Sequence, residues 1–218
     1  MTDALDELVS SINHLNILAA QQIIQKNLDN HGRFTRDLNN IIDFARHNIL
    51  GYLLHQYITT RHSQADIVKI EHLSWYLLSL RDHQECLLFD INLTNRAGQN
   101  SISLLIESHL PMKFKQHLLQ SILNTKDNSG ASLLSNGNNS SILCKAILLQ
   151  DTRILELIIF AGTKDGSYFL NPNALIRNSR QNGLEYASSI YNTNARQSIL
   201  VILSLRQSSV AKIKKTLT

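Results

Sequence analysis

Residues 89–102 read FDINLTNRAGQNSI and connect two apolar segments through one short polar stretch. The stretch begins with an Asp-aliphatic-Asn step at Asp90 and runs through polar residues to Gly98. A polar pair, Asn100 and Ser101, then precedes the next apolar run. A polar residue directly before a periodic apolar run is typical of the start of a helix. The stretch therefore predicts a short polar loop that leads into a helix.

Glycine and proline are scarce along the whole chain, with 8 Gly and 2 Pro among 218 residues. So few turn-forming residues argue against a sandwich or barrel of many short strands. Apolar residues instead recur at intervals of three and four, which is the pattern of amphipathic helices. The fold class is therefore predicted to be all-α, in a chain long enough to bury a core without disulfides or metals.

A second segment follows the same order of residues. Residues 141–146 read SILCKA, Gln150 and Asp151 form the next turn, and residues 154–159 read ILELII. Together with the loop at 89–102 they resemble an ankyrin repeat, in which Asp-x-x-Gly-x-Thr-Pro-Leu-His-x-Ala opens the first helix and an aliphatic run forms the second. The resemblance implies a solenoid of stacked antiparallel helix pairs joined by β-fingers. A HEAT-like or irregular array of helix pairs is the alternative.

The apolar pattern divides the chain into three parts. Residues 1–34 predict a divergent N-terminal helical cap, residues 35–207 an ankyrin-like array, and residues 208–218 a basic C-terminal tail. The early units suit a period of about 33 residues. Longer fingers separate the later units, because residues 127–140 and 163–180 are rich in loop-forming residues. The units are predicted to start near residues 37, 69, 100, 141 and 185.

The same pattern makes local predictions. Residues 2–28 predict one helix or, with a break in the middle, a pair of helices, and residues 86–89 predict a short helix. Trp75 lies in an apolar helical run and is predicted to be a core residue, with an interface anchor as the alternative. Leu157 and Ile158 are predicted to be buried between helices of adjacent repeats.

Charge is distributed unevenly along the sequence, although the net charge is only +4. Residues 1–90 contain 7 Lys/Arg and 11 Asp/Glu, a balance of −4, and residues 91–218 contain 14 and 6, a balance of +8. Such asymmetry indicates an acidic protein partner, nucleic acid or an anionic membrane. Basic residues cluster only at Lys212, Lys214 and Lys215. A protein partner with acidic groups is therefore the main prediction, and a nucleic-acid binder is the alternative.

Side chains that carry chemistry form no recognisable motif. Cys86 and Cys144 belong to no CxxC pair, and both are predicted to be buried structural thiols in a reducing compartment. A nucleophilic Cys144 is the alternative for that residue. The nine histidines form no HExxH pair, and no phosphate-binding glycine loop or GxSxG elbow is present. We therefore predict no enzyme, cofactor or metal, with an enzyme whose site lies in the first ninety residues as the alternative.

The resemblance implies that finger loops and first helices form the surface that binds a partner. Degenerate repeats and an Asn/Ile/Leu/Lys-leaning composition resemble the ankyrin-containing proteins of intracellular bacteria. This similarity implies a host-directed effector or an adaptor of a secretion complex. The sequence shows neither a signal peptide nor a membrane span, which predicts cytoplasmic localisation or non-classical delivery into a host cell. The candidate binding residues are Arg96, Gln99, Lys164, Asp165, Arg177 and Arg180.

Overall fold

The computed structural model describes residues 3–39, 46–58, 63–127, 129–134, 140–164, 167, 169–171, 173 and 180–216. These residues form helices and no strand, which confirms the all-α prediction. No helix among them is both long and apolar enough to cross a membrane. The helices are α1 Ala4–Asn13, α2 Ile17–Lys26, α3 Ile49–His55, α4 Gln64–Ser79, α5 Ser101–Glu107, α6 Met112–Leu123, α7 Ser140–Leu149, α8 Thr152–Ile159, α9 Gly183–Ser188 and α10 Thr193–Thr216.

Short polar side chains fix the starts of most helices. In each case the side-chain oxygen of the residue before the helix accepts a hydrogen bond from a backbone N–H of the first turn, which satisfies a donor that has no partner within the helix. Asn100 caps α5 in this way, as the sequence predicts. Asn182 forms a capping box with Glu185 at the start of α9. The other capping residues of this kind are Asp3, Asn16, Asn48, Ser63 and Asp151.

The chain divides into two compact units, and unit 1 is Met1–Leu133. Its helices form three consecutive pairs, because α1 contacts α2, α3 contacts α4 and α5 contacts α6. Successive pairs also touch through equivalent helices: α3 contacts α5 among the first helices, and α4 contacts both α2 and α6 among the second helices. Pairs therefore pack against their neighbours along unit 1.

A short hairpin follows the second helix of every pair in unit 1. Each hairpin is closed by a single antiparallel bridge between two residues six positions apart, rather than by a strand. These bridges join Leu28 to Phe34 after α2, Arg81 to Leu87 after α4, and Lys126 to Ser132 after α6. The hairpin after α4 ends at Leu87 and residues 88 and 89 form a bend, so the short helix predicted at 86–89 is wrong. Asp82 accepts from the backbone N–H of Cys86 and directs this segment into a turn.

Two further predictions in unit 1 are settled by the helices. The break in the middle of residues 2–28 is confirmed, since α1 ends at Asn13 and Leu15 takes a positive φ of 50° before α2 begins. Trp75 is 45% exposed, so its prediction as a core residue is wrong. The buried side of α4 carries Ile70, Leu73 and Leu77. Trp75 lies on the opposite side of the helix.

Unit 2 is Leu134–Thr218 and contains the last two helix pairs. Here α7 contacts α8 and α9, while α10 contacts α8 and α9. Helix α8 buries Ile154, Leu155, Ile158 and Ile159, which confirms the prediction for Ile158. Leu157 is only partly buried, so its prediction is wrong, because the buried positions repeat at four-residue intervals and leave it at the edge of the stripe. The expected start of a basic tail at residue 208 lies inside α10.

Candidate protein-binding surface

One turn geometry recurs four times in unit 1. In each turn the side-chain oxygen of an Asp or Asn accepts hydrogen bonds of 2.8–3.0 Å from the backbone N–H groups two and four residues later. The backbone N–H three residues later donates to the carbonyl of the same Asp or Asn. Asp and Asn favour such turns because their short side chains replace a missing backbone acceptor. The four first residues are Asp29, Asp82, Asn95 and Asp127.

Three of these turns lie at the tips of the hairpins, at residues 29–33, 82–86 and 127–131, and we call them the finger turns. The fourth, at residues 95–99, precedes α5, and we call it the Asn95 turn. The fourth residue of each turn has a positive φ, between 61° and 79°, which favours glycine. Glycine occupies this position at Gly32, Gly98 and Gly130, whereas the second finger turn has Glu85.

The first two finger turns are in direct contact. The backbone N–H of His83 donates to the carbonyl of His31 at 2.9 Å. Nε of Arg33 lies 3.2 Å from a carboxylate oxygen of Asp82. Gly32 faces His83 so closely that a Cβ at this position would lie 2.7 Å from the imidazole Cδ2. Glycine is therefore required at this position both for its φ and for the approach of the second finger turn.

Two asparagines join the bases of successive hairpins. The Asp-aliphatic-Asn step occurs at Asp37 and again at Asp90, and in both the Asp side chain accepts from the backbone N–H of the Asn. The side chain of Asn92 then donates to the carbonyl of Leu133 at 2.8 Å. The side chain of Asn39 instead accepts a hydrogen bond, from the backbone N–H of Asp90. Each asparagine thus binds the backbone of the hairpin that follows.

The finger turns expose most of their side chains although their backbones are hydrogen-bonded. Asp82 is an exception, because its carboxylate is buried within the turn and against Arg33. The N–H of Cys86, with that of Gln84 and the Arg33 guanidinium, lowers the pKa of Asp82. Hydrogen bonds from Arg33 and His31 lower the pKa of Asp29. Both carboxylates therefore remain ionised acceptors at neutral pH. The exposed side chains of the first two turns are those of Asp29, Asn30, His31, Arg33, His83, Gln84, Glu85 and Cys86.

The Asn95 turn is bonded to the segment that precedes α3. Nδ2 of Asn95 lies 3.0 Å from Nε2 of His47, whose side chain is buried. Because Oδ1 of Asn95 already accepts from two backbone N–H groups, its Nδ2 must donate and Nε2 of His47 must accept. We call this contact, between the segment before α3 and the segment before α5, the seam. Asn48 adds to the seam, since its Nδ2 donates to the carbonyl of Asp90 and its Oδ1 accepts from the hydroxyl of Ser101.

The candidate binding residues from the sequence differ in their surroundings. Arg96 is exposed at the tip of the Asn95 turn. Gln99 is partly buried, with its amide donating to Glu107 at 2.5 Å and accepting from Asn95 at 3.1 Å, so it braces the turn. Lys164 and Arg180 are exposed in unit 2. Asp165 and Arg177 lie outside the described residues.

The cysteines do not lie where their helical surroundings predict. Cys86 is exposed in the second finger turn, so its prediction as a buried thiol is wrong. Cys144 is half-buried on α7, and a hydrogen bond with its sulfur raises the pKa of Tyr186 to about 12. In the part of the chain that the structure describes, no three His, Cys, Asp or Glu side chains converge on a metal-sized site.

A cleft beside α1 is one place in the first ninety residues where an enzyme site could lie. It has a volume of about 620 Å³ and is lined by Asp3, Glu7, Lys26, Thr35 and Arg36, among others. Asp3 and Arg36 pair with each other at 3.0 Å, and the N–H of Leu5 and the guanidinium lower the pKa of Asp3. Asp3 and Arg36 therefore engage each other rather than a nucleophile or its base.

Comparison with known proteins adds no relative. No protein-family model, curated protein or solved structure matches the chain.

The sequence contains a signal for the finger turns outside residues 89–102. Asp-x-x-Gly occurs at Asp29 and Asp127 after α2 and α6, and Asp82 begins a matching turn without the glycine. The contact between His47 and Asn95 has no such signal, because the two residues are distant in sequence.

Proposed function

We propose that the chain is a non-enzymatic protein-binding module and that the finger turns and the Asn95 turn of unit 1 form its recognition surface. The single observation that carries the proposal is the repeated turn geometry. In all four turns the backbone conformation is fixed by hydrogen bonds from within the turn.

A surface of this kind favours binding for a thermodynamic reason. A flexible loop loses conformational entropy when it binds, whereas a loop that is already ordered loses little and leaves more of the contact energy as affinity. Each turn is ordered mainly by an internal Asp or Asn, so most of its outward side chains are not needed to hold it. Such side chains are available for a partner.

The proposed architecture behind this surface is an ankyrin-like solenoid. The contacts between equivalent helices of successive pairs and the hairpin after each second helix in unit 1 both support it. The pairs of the described chain begin at Ala4, Ile49, Ser101, Ser140 and Gly183, farther apart than in a regular array of about 33 residues. The extra length lies in the loops, where solenoid insertions are expected. Effectors and secretion adaptors would both use such a module.

The test begins with a tagged full chain and lysates of the source cell and of a host cell. Captured proteins are identified by mass spectrometry, and the affinity of a purified partner is then measured for two variants. One replaces exposed residues of the finger turns, namely Asn30→Ala, His31→Ala and Gln84→Ala. The matched control replaces exposed residues of α2, α4 and α6, namely Gln22→Ala, His72→Ala and Gln120→Ala.

We expect the finger-turn variant to lose affinity by about tenfold or more, because recognition depends on a few central side chains. The control variant should bind within about twofold of the unmodified chain. The reverse result would place the interface on the second helices. Absence of any saturable partner in both lysates would also contradict the proposal.

A further inference from the structure

The arginines of unit 1 fall into two groups. Among the described residues of this unit, three arginines are held by hydrogen bonds: Arg33 by Asp82, Arg36 by Asp3, and Arg81 by the carbonyls of Leu78 and Leu80. The other two described arginines of the unit have no ion pair or hydrogen bond within the part of the chain that the structure describes. They are Arg46 and Arg96, and both are exposed.

These two arginines flank the same hydrogen bond. Arg46 directly precedes His47, Arg96 directly follows Asn95, and Nε2 of His47 lies 3.0 Å from Nδ2 of Asn95. Arg46 and Arg96 are distant in sequence, but the bond between His47 and Asn95 brings the two backbone segments that carry them together. From this placement we infer that Arg46 and Arg96 form a carboxylate-binding site for an acidic segment of the partner protein. The inference rests on the proposed protein-binding function and names the chemistry of the partner.

Two acidic residues whose neighbours form this contact have carboxylates that are already engaged. Asp90 lies next to Asn48 through its carbonyl, and its own side chain accepts from the backbone and the amide of Asn92. Glu107 accepts from the amide of Gln99. The guanidinium groups of Arg46 and Arg96 therefore retain their full capacity for bidentate bonds to an external carboxylate.

The backbone at Arg46 gives a second reason to assign it a role. Arg46 has a φ of +56°, in the left-handed region that glycine adopts without strain. A residue with a Cβ costs roughly 1–2 kcal/mol there. Strained residues of this kind are concentrated at functional sites. Retention of an arginine in place of glycine fits a requirement for its charge.

The charge of unit 1 favours an acidic peptide segment over nucleic acid. Residues 1–133 contain eleven Lys/Arg and thirteen Asp/Glu, so the unit has a net charge of −2. Nucleic-acid affinity depends on many phosphate contacts, and a unit without a basic excess does not supply them. Two unpaired arginines that flank a single hydrogen bond suit one or two carboxylates.

The test uses the full chain labelled with nitrogen-15 and titrated with a hexaglutamate peptide at low ionic strength. We expect the amide signals of His47, Asn95 and Ala97 to shift together and to saturate. Arg46→Gln and Arg96→Gln should each weaken binding by about fivefold or more. Arg46→Gly should weaken it equally while relieving the backbone strain, so a folding defect cannot account for the loss. As a control, Arg153→Gln should bind normally, because Arg153 lies on α8 beside Glu156.

Several results would overturn the inference: no saturable shift, shifts confined to other residues, or unchanged binding by the Arg46 and Arg96 variants. Tighter saturation of the same signals by a thymidine hexanucleotide would identify a nucleic-acid site instead. The captured partner separates this inference from the proposed function. If finger-turn substitutions abolish its binding and the two arginine substitutions do not, only the inference fails. If neither set affects it, the proposed function fails.

Discussion

Replacement of Gly32 by alanine tests the contact between the first two finger turns, and Gly98→Ala provides a matched control. Both glycines have nearly the same backbone conformation, with φ values of 73° and 74°. They differ in their surroundings. A Cβ at Gly98 would meet nothing within 4 Å, whereas a Cβ at Gly32 would lie 2.7 Å from Cδ2 and 3.2 Å from the backbone nitrogen of His83.

The expected costs follow from these differences. A left-handed alanine is disfavoured by roughly 1–2 kcal/mol, and its less flexible unfolded chain returns about 0.4–1 kcal/mol. Gly98→Ala should therefore lower the free energy of unfolding by about 1 kcal/mol. The exposed ring of His83 can rotate away from a new methyl at Gly32, but its backbone nitrogen cannot move without loosening the bond to His31. Loss of that bond adds about 1 kcal/mol, so Gly32→Ala should cost about 2 kcal/mol.

Urea unfolding followed by circular dichroism measures both costs, from the midpoints at constant m value. A double variant, Gly32→Ala with His83→Ala, should keep most of the cost, because the cost arises at the backbone nitrogen of His83 rather than at its ring. If Gly32→Ala and Gly98→Ala differ by less than about 0.3 kcal/mol, which is near the limit of such comparisons, the finger turns do not touch.

Three further predictions concern single residues. Glu85→Gly should raise the free energy of unfolding by up to about 1 kcal/mol, because Glu85 has a φ of 61°; a lower melting temperature would contradict this. Ser74→Ala should stabilise the chain by about 1 kcal/mol in urea unfolding, because the Ser74 hydroxyl is buried without a hydrogen-bond partner, and a loss of stability would reveal a partner for it. Asp82 has a pKa lowered mainly by the N–H of Cys86, so its contribution is present above the unfolded pKa near 4 and is lost as the pH falls through the folded pKa. The difference in free energy of unfolding between the unmodified chain and Asp82→Asn should therefore be largest above about pH 5 and should disappear in acid. A difference that does not depend on pH would refute the role given to the Asp82 carboxylate.

Helices with a single apolar side were predictable from the sequence, and so were the starts fixed by capping residues. Helix α5 begins after Asn100 because a local side chain satisfies its first turn. The hairpin after α4 was not predictable in this way, since the apolar run that ends at Phe89 fits a helix equally well. Its turn depends on the carboxylate of Asp82, which Arg33 from the previous hairpin helps to hold.

The candidate site was likewise only partly predictable from the sequence. Arg96 could be identified as exposed because it lies between turn-forming residues in the sequence. Its association with Arg46 could not, because it arises from a buried bond between His47 and Asn95 in different helix pairs. Gln99 shows the opposite case, as a polar loop residue whose side chain is used to brace the turn by binding Glu107. Side-chain direction in a loop depends on tertiary contacts that sequence spacing does not reveal.

Hydrogen–deuterium exchange of the full chain, with and without its captured partner, tests the central claim most directly. Amides near the tips of the finger turns and of the Asn95 turn should exchange more slowly in the complex, because the partner would cover them. Amides on the exposed side of α4, around Val68 and Trp75, should exchange at the same rate in both states. Protection of the α4 surface with unchanged exchange at the turns would contradict the claim and assign recognition to the second helices.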